Sequence, residues 1–273
     1  MDLKIGGPLG FWLLNTLSKE SPPDLEPGPS EDEGVAGAPK LERFFGPGVW
    51  EDFAGRCVLD YGCGPGREAV AVAERGAGRV YGVDIQDRFL QAARELAARR
   101  GVADRCVFLS ATKQGESILA LYGRIECVYC LDSFEHIADP QAVLAEIYSL
   151  LEPGGRLLVS FGPPWKHPYG AHMRFFNSLP WLHFIFSEET IMAVRAAYRR
   201  DGAKRFEEVD GGLNRMTVAR FLDVVKNSPC QLESLRAIPI RGLTWLVKNP
   251  VTREYFTSVV QCVLSKPVTP ASK

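Results

Sequence analysis

The sequence predicts an α/β fold, doubly wound around a mostly parallel sheet, and three observations carry that prediction. Cys57-Val58-Leu59-Asp60-Tyr61 is a short apolar run that breaks at once into Gly62-Cys63-Gly64-Pro65-Gly66 and then into a helix-compatible stretch. A second run, Arg79-Val80-Tyr81-Gly82-Val83-Asp84, follows one helix length later and ends on a carboxylate. Beyond it, strand-length apolar runs alternate with amphipathic stretches as far as Phe161. Strands that alternate with helices pair in parallel through right-handed crossovers, and runs without polar alternation suit strands covered on both faces.

Residues 1–40 form a unit of their own. Phe11, Trp12, Leu14 and Leu17 mark residues 1–19 either as a helix packed on the domain or as a flap over the site, and residues 20–40, rich in Pro, Gly, Ser and acid, read as a mobile linker. Globular sequence begins at Leu41. Phe44, Phe45, Trp50 and Phe53 are expected to pack beneath the first strand, 57–61. Gly62, Gly64 and Gly66 remove Cβ atoms from the turn that follows, so a ligand can lie against bare backbone, and Pro65 suits a helix start. The small face Ala69, Val70, Val72, Ala73 can pack closely on a sheet, with Gly76 and Gly78 ending that helix.

After Asp84 the spacing of Phe89, Leu90, Ala93, Leu96 and Ala97 predicts a helix over 88–100, with Asp87 as its N-cap and Gly101 past its end. Strand three is expected at 105–109, strand four at 125–130, a helix at 140–151 and strand five at 156–161. Residues 162–215 interrupt the alternation with an aromatic-rich insertion that contains a helix at 187–200. A helix ending near Val225 and two strands, 231–240 and 255–264 joined through 241–250, complete the domain over 216–273.

Composition narrows the function classes. A formal net charge of -1 gives no basic surface for nucleic acid. Seven scattered cysteines suit a reducing compartment better than a disulfide framework. Cys127 and Cys130 lie three apart on a strand and point to opposite faces, which argues against a metal or redox pair and for buried structural cysteines. No apolar run approaches the ~20 residues of a membrane span, and the Phe11-Trp12-Leu13-Leu14 run makes a poor secretory signal, so the cytoplasm is the expected location.

Strand, glycine turn, helix, strand and terminal acid is the order of a nucleotide-binding βαβ unit, whose acid accepts hydrogen bonds from ribose hydroxyls about twenty residues past the glycines. In the dinucleotide fingerprint the third glycine falls one position later, where Arg67 stands here. The form Asp60-x-Gly62-x-Gly64-x-Gly66 resembles motif I of class I S-adenosylmethionine-dependent methyltransferases. Asp132-Ser133-Phe134-Glu135-His136 resembles the segment after strand four in the small-molecule branch called type 11, and Leu151-Glu152-Pro153-Gly154-Gly155 the turn into its fifth strand. The resemblance spans residues 57–161. It implies a Rossmann-like sheet of seven strands with an antiparallel edge strand, and S-adenosylmethionine as cofactor. It makes residues 41–161 the cofactor-binding half.

On that resemblance the cofactor-binding candidates are Asp60, Gly62, Cys63, Gly64, Gly66, Asp84, Ile85, Ala111, Thr112, Cys130 and Leu131. The Ser110-Ala111-Thr112 turn offers no carboxylate to adenine, where the family usually has one. The insertion leaves the carboxyl edge of the sheet, where an acceptor pocket belongs; Asp132, Trp165, Tyr169, Phe176 and Trp181 are its substrate candidates, although these aromatics could equally be the insertion's own core. His172, His167 and Asp132 are the candidates for a general base. The histidine spacing fits no compact metal site, and none is predicted. The expected reaction is in-line methyl transfer to a small or lipophilic organic acceptor. A nicotinamide oxidoreductase and an idle methyltransferase-like binding module remain as alternatives.

Overall fold

The computed structural model describes residues 4–19, 39–111 and 120–268. The 20–38 part of the expected linker, and Thr112, lie outside the described residues. The described strands are β1 Cys57–Tyr61, β2 Arg79–Asp84, β3 Cys106–Ser110, β4 Ile125–Leu131, β5 Leu151–Phe161, β6 Gln231–Pro239 and β7 Thr257–Ser265. They form one seven-stranded sheet in the order β3-β2-β1-β4-β5-β7-β6. The first five run parallel, and β7 runs antiparallel to β5 on one side and to the edge strand β6 on the other.

The described helices are α1 Gly7–Leu17, α2 Lys40–Phe45, α3 Val49–Phe53, α4 Arg67–Glu74, α5 Asp87–Arg99, α6 Pro140–Leu150, α7 Leu182–Ile185, α8 Glu188–Arg195, α9 Val218–Lys226 and α10 Pro250–Phe256. Adjacent strand residues feed opposite layers. Val58, Val80, Cys127 and Tyr129 join Val49, Phe53, Ala69, Val70, Leu90 and Ala93 on one face. Leu59, Val128, Cys130, Leu157 and Val159 join Leu144, Ile147, Phe221 and Val224 on the other. Both members of the Val58-Leu59 pair are fully buried, as the unalternated run predicts. Cys127 and Cys130 sit in different layers and are free thiols.

Four boundaries depart from the sequence reading. Asp87 is the first helical residue of α5, and Gln86 occupies the cap. Strand β5 starts at Leu151, which pairs with Ile125; the next pairing joins Cys127 to Arg156, so Glu152, Pro153, Gly154 and Gly155 bulge from the ladder rather than preceding it. Helix α8 ends at Arg195, short of 200. The 255–264 strand instead begins at Thr257, because Tyr255 and Phe256 close α10, whose N-cap Asn249 accepts from the Val251 and Thr252 N–H groups.

The insertion builds a third core around Phe176, Leu182, Phe186, Ile191 and Val194, and Leu14 of α1 is buried in it. Backbone bonds tie the two together: Ile5 N–H donates to Ile185 O at 2.9 Å, Ser187 N–H to Ile5 O at 3.0 Å and Lys19 N–H to Phe176 O at 2.9 Å. Residues 4–19 are therefore a docked part of the insertion.

Candidate active site

The strand order reverses between β1 and β4, and open α/β sheets bind ligands in the crevice at the carboxyl ends beside such a point. The glycine turn occupies that crevice. Gly62 and Cys63 N–H both donate to Val83 O, at 2.8 and 2.9 Å, which fastens the turn to the tip of β2. Its three glycines all have positive φ, +84°, +49° and +79°, for which side chains are disfavoured.

They differ in what surrounds them. A Cβ on Gly66 would fall 2.6 Å from Ala93 Cβ, so this residue lets α4 approach α5. One on Gly62 would lie 2.6 Å from Ser133 Oγ. One on Gly64 would meet nothing within 4 Å. The middle of the bend therefore presents bare backbone to open space. Asp84 stands beside it: Oδ2 accepts from Gly64 N–H at 2.9 Å and Oδ1 from Gln86 N–H at 2.8 Å. A carboxylate has about four lone-pair sites, so each oxygen can accept a further donor. Next to it Ile85 is 61% exposed, an apolar platform at the tip of β2, and Ala111 N–H is held by Asp84 O at 3.0 Å.

Asp60 is buried below the turn. Burial pushes its carboxyl well above the usual range, and the Glu68 and Asp84 charges add. The Cys63 and Cys130 side chains are also buried, with thiols raised first by burial. Only their backbones can face a ligand. Leu131, at the end of β4, is half-buried.

Sequence reasoning missed a strap over this crevice. Glu68, in the first turn of α4, accepts Lys40 N–H at 2.8 Å and Leu41 N–H at 3.3 Å, and the Lys40 ammonium reaches Asp132 Oδ2 at 2.6 Å. An acid in the first turn of α4 was a visible signal for Glu68; nothing local marks Lys40. Asp132 has φ +49° and its side chain is 30% exposed.

Behind Asp132 lies a buried polar group. Glu135 Oε1 accepts Gly162 N–H at 3.0 Å, whereas Oε2 has no hydrogen-bond partner. Burial, with the Asp132 charge adding, pushes its carboxyl up to about 8. His136 Nδ1–H donates to Gly212 O at 2.5 Å, and the His172 ring lies edge-on to it at 5.6 Å. Asn214 braces the segment by donating to Phe134 O and Ile137 O.

The remaining candidates divide. His172, also at positive φ, points Nε2–H at Pro163 O at 3.4 Å, and burial with the neighbouring His136 lowers its pKa to about 4. His167 accepts Tyr169 N–H on Nδ1 at 3.0 Å and is lowered to about 4 by burial and by Arg174. Phe176 is 0% exposed and stacks on Tyr198, which corrects its assignment as a substrate contact: no part of its ring can reach a ligand. Trp165 packs against Phe206 and His183 in the same core. Tyr169 lies under Arg174, and Trp181 donates Nε1–H to Lys166 O and meets Phe256 edge-on. Among the described residues no cluster of His, Cys, Asp and Glu could hold a metal ion.

Residues 58–155 match a protein family described as "Methyltransferase domain". Over those residues the chain is similar to a methyltransferase domain. The match covers the glycine turn, Asp84 and the β4 tip. A ubiquinone biosynthesis O-methyltransferase of Pseudomonas paraeruginosa is 36% identical over 107 residues, 39% of this chain and 44% of that protein. One of Neisseria meningitidis is 34% identical over 144 residues, 52% of this chain and 53% of that protein. The chain thus spans about half the length of these curated relatives. Among solved structures, an S-adenosylmethionine dependent methyltransferase from Mesorhizobium loti superposes with a TM-score of 0.50 at 16% identity, over 78% of this chain and 92% of that one, a likeness of fold. Among the described residues no helix is long and apolar enough to cross a membrane.

Proposed function

We propose that the chain transfers the methyl group of S-adenosylmethionine to a hydroxyl of a small, largely apolar acceptor. The observation that carries this reading is the bare Gly64 backbone open to solvent beside the Asp84 carboxyl. Gly62, Cys63 and Gly64 would hold the amino-acid end of the cofactor, Asp84 its ribose, and Ile85 with Ala111 its base, while Gly66 packs α4 on α5. The cofactor, when bound, supplies an activated methyl on sulfonium that needs no covalent help from the protein. What the chain adds is alignment, which can be worth about 7–11 kcal/mol, and exclusion of water.

Asp132, at the tip of β4, is our candidate for the group that takes the acceptor's proton. His172 is neutral at pH 7, and its buried ring turns Nε2–H to Pro163 O; it is better suited to shaping the loop around the acceptor than to taking a proton. His167 serves the fold, since its Nδ1 lone pair is committed to Tyr169. Residues 41–161 act as the cofactor half, 216–273 as the remainder of the sheet, and 162–215, with α1 docked on it, as the wall of the acceptor pocket. We assign the chain to the cytoplasm, where its free cysteines would stay reduced.

The test is to supply methyl-labelled S-adenosylmethionine with a panel of phenols of increasing alkyl length. Label should appear as a methyl ether, and turnover should rise with chain length. No transfer to any oxygen acceptor, with label appearing on amines or thiols instead, would overturn the reading.

A further inference from the structure

A second cleft, of about 410 Å³, opens between the insertion, α9 and α10. None of its lining residues belongs to β1–β4 or to the loops that follow them, so it is separate from the glycine-turn crevice. Its volume lies in the range of small-molecule sites. At its floor Glu254 is 5% exposed. Its Oε1 accepts Ala219 N–H, in the first turn of α9, at 2.7 Å, while Oε2 has no hydrogen-bond partner. The nearest cation, Lys166 Nζ, stands 3.9 Å away, beyond hydrogen-bond reach. The neighbouring Arg253 Nε is also buried without a hydrogen-bond partner.

An unmade acceptor and an unmade donor on consecutive residues of one short helix require an explanation, since each costs about 1–3 kcal/mol when left unsatisfied. The chemistry of the cleft restricts what could satisfy the acceptor. Its charged lining is balanced, Lys166 and Arg253 against Asp223 and Glu254, which selects against a strongly charged ligand. Leu222, Pro250, Val251 and Tyr255 supply apolar walls. We infer that this cleft binds a neutral, hydroxyl-bearing apolar molecule of phenol or alcohol type, whose hydroxyl donates to Glu254 Oε2. No methyl transfer is involved, so this inference and the proposed function can fail independently.

The test uses the full chain without cofactor and the probe p-cresol, read by saturation-transfer NMR. p-Cresol should bind in the millimolar range or tighter. 4-Methylanisole, which keeps the ring and cannot donate a hydrogen bond, should bind about tenfold or more weakly. Val251→Trp, at a rim position that is 71% exposed, should fill the mouth and remove the Glu254-dependent part of the binding, leaving only what the acceptor pocket takes up, with no change in the unfolding midpoint. Glu254→Gln should weaken p-cresol by about tenfold while still accepting from Ala219. Absence of p-cresol binding, equal binding of the two probes, or unchanged binding in Val251→Trp would overturn the inference.

Discussion

Alanine at Gly64 and at Gly66 should fail in opposite ways. Both residues have positive φ, and an L side chain there costs about 1–2 kcal/mol; removing glycine returns about 0.4–1 kcal/mol through the unfolded chain. At Gly64 that is all, because the new methyl meets no atom within 4 Å. Gly64→Ala should therefore unfold only about 1 kcal/mol more easily than the natural protein. At Gly66 the methyl would fall 2.6 Å from Ala93 Cβ and 3.0 Å from its Cα, on two helices that must separate to admit it. Overpacking of this kind costs about 1–3 kcal/mol, which brings Gly66→Ala to roughly 2–4 kcal/mol. Ligand binding should reverse the order. Gly64→Ala places a methyl where the cofactor would touch backbone and should weaken S-adenosylhomocysteine at least about tenfold, whereas folded Gly66→Ala should bind within a few-fold of the natural protein. Urea unfolding and calorimetric titration give both numbers. Equal stability of the two variants, or full affinity in Gly64→Ala, would refute the assignment of one glycine to packing and the other to the ligand.

Three further outcomes are expected. Glu135 has a folded pKa of about 8 against an ordinary 4.5, so its contribution is complete below the unfolded pKa and is lost as pH rises through about 8; unfolding midpoints followed across that window should fall less for Glu135→Gln than for the natural protein. His172, lowered to about 4, carries the opposite sign, so its contribution is lost as pH falls from about 6.5 through 4, and His172→Gln should flatten that acid limb. Leu14, 0% exposed in the core of the insertion, should cost about 2–5 kcal/mol on truncation to alanine, and a change below 0.5 kcal/mol in urea unfolding would mean that α1 does not stay docked.

What could be read from the sequence was what local chemistry encodes. The run from Cys57 to Asp84 was legible because glycines, small helix residues and a terminal acid are each required by their immediate neighbours, and the two-sided burial of β1 followed from its lack of alternation. Helix α10 was misread, although Asn249-Pro250 is a helix-start signal, because Tyr255 and Phe256 also suit a strand and secondary structure there depends on where β7 pairs with β5. Long-range features were not legible. Neither the reach of Lys40 to Asp132 nor the burial of Glu254 under α9 leaves any periodic trace, and the positive φ of Trp181 and Arg215 is not one their residue types favour. The aromatic insertion announced a subdomain, but composition alone could not separate the enclosed Phe176 from rings nearer the surface.

Calorimetric titration of the natural protein and of Asp84→Ala, with S-adenosylmethionine and separately with a nicotinamide dinucleotide, decides whether the glycine turn and its neighbouring carboxyl form a methyl-donor site. The natural protein should bind S-adenosylmethionine at a single site and ignore the dinucleotide, and Asp84→Ala should stay folded and lose about ten- to hundredfold in affinity. Heat from the dinucleotide alone, or undiminished S-adenosylmethionine binding by Asp84→Ala, would contradict it.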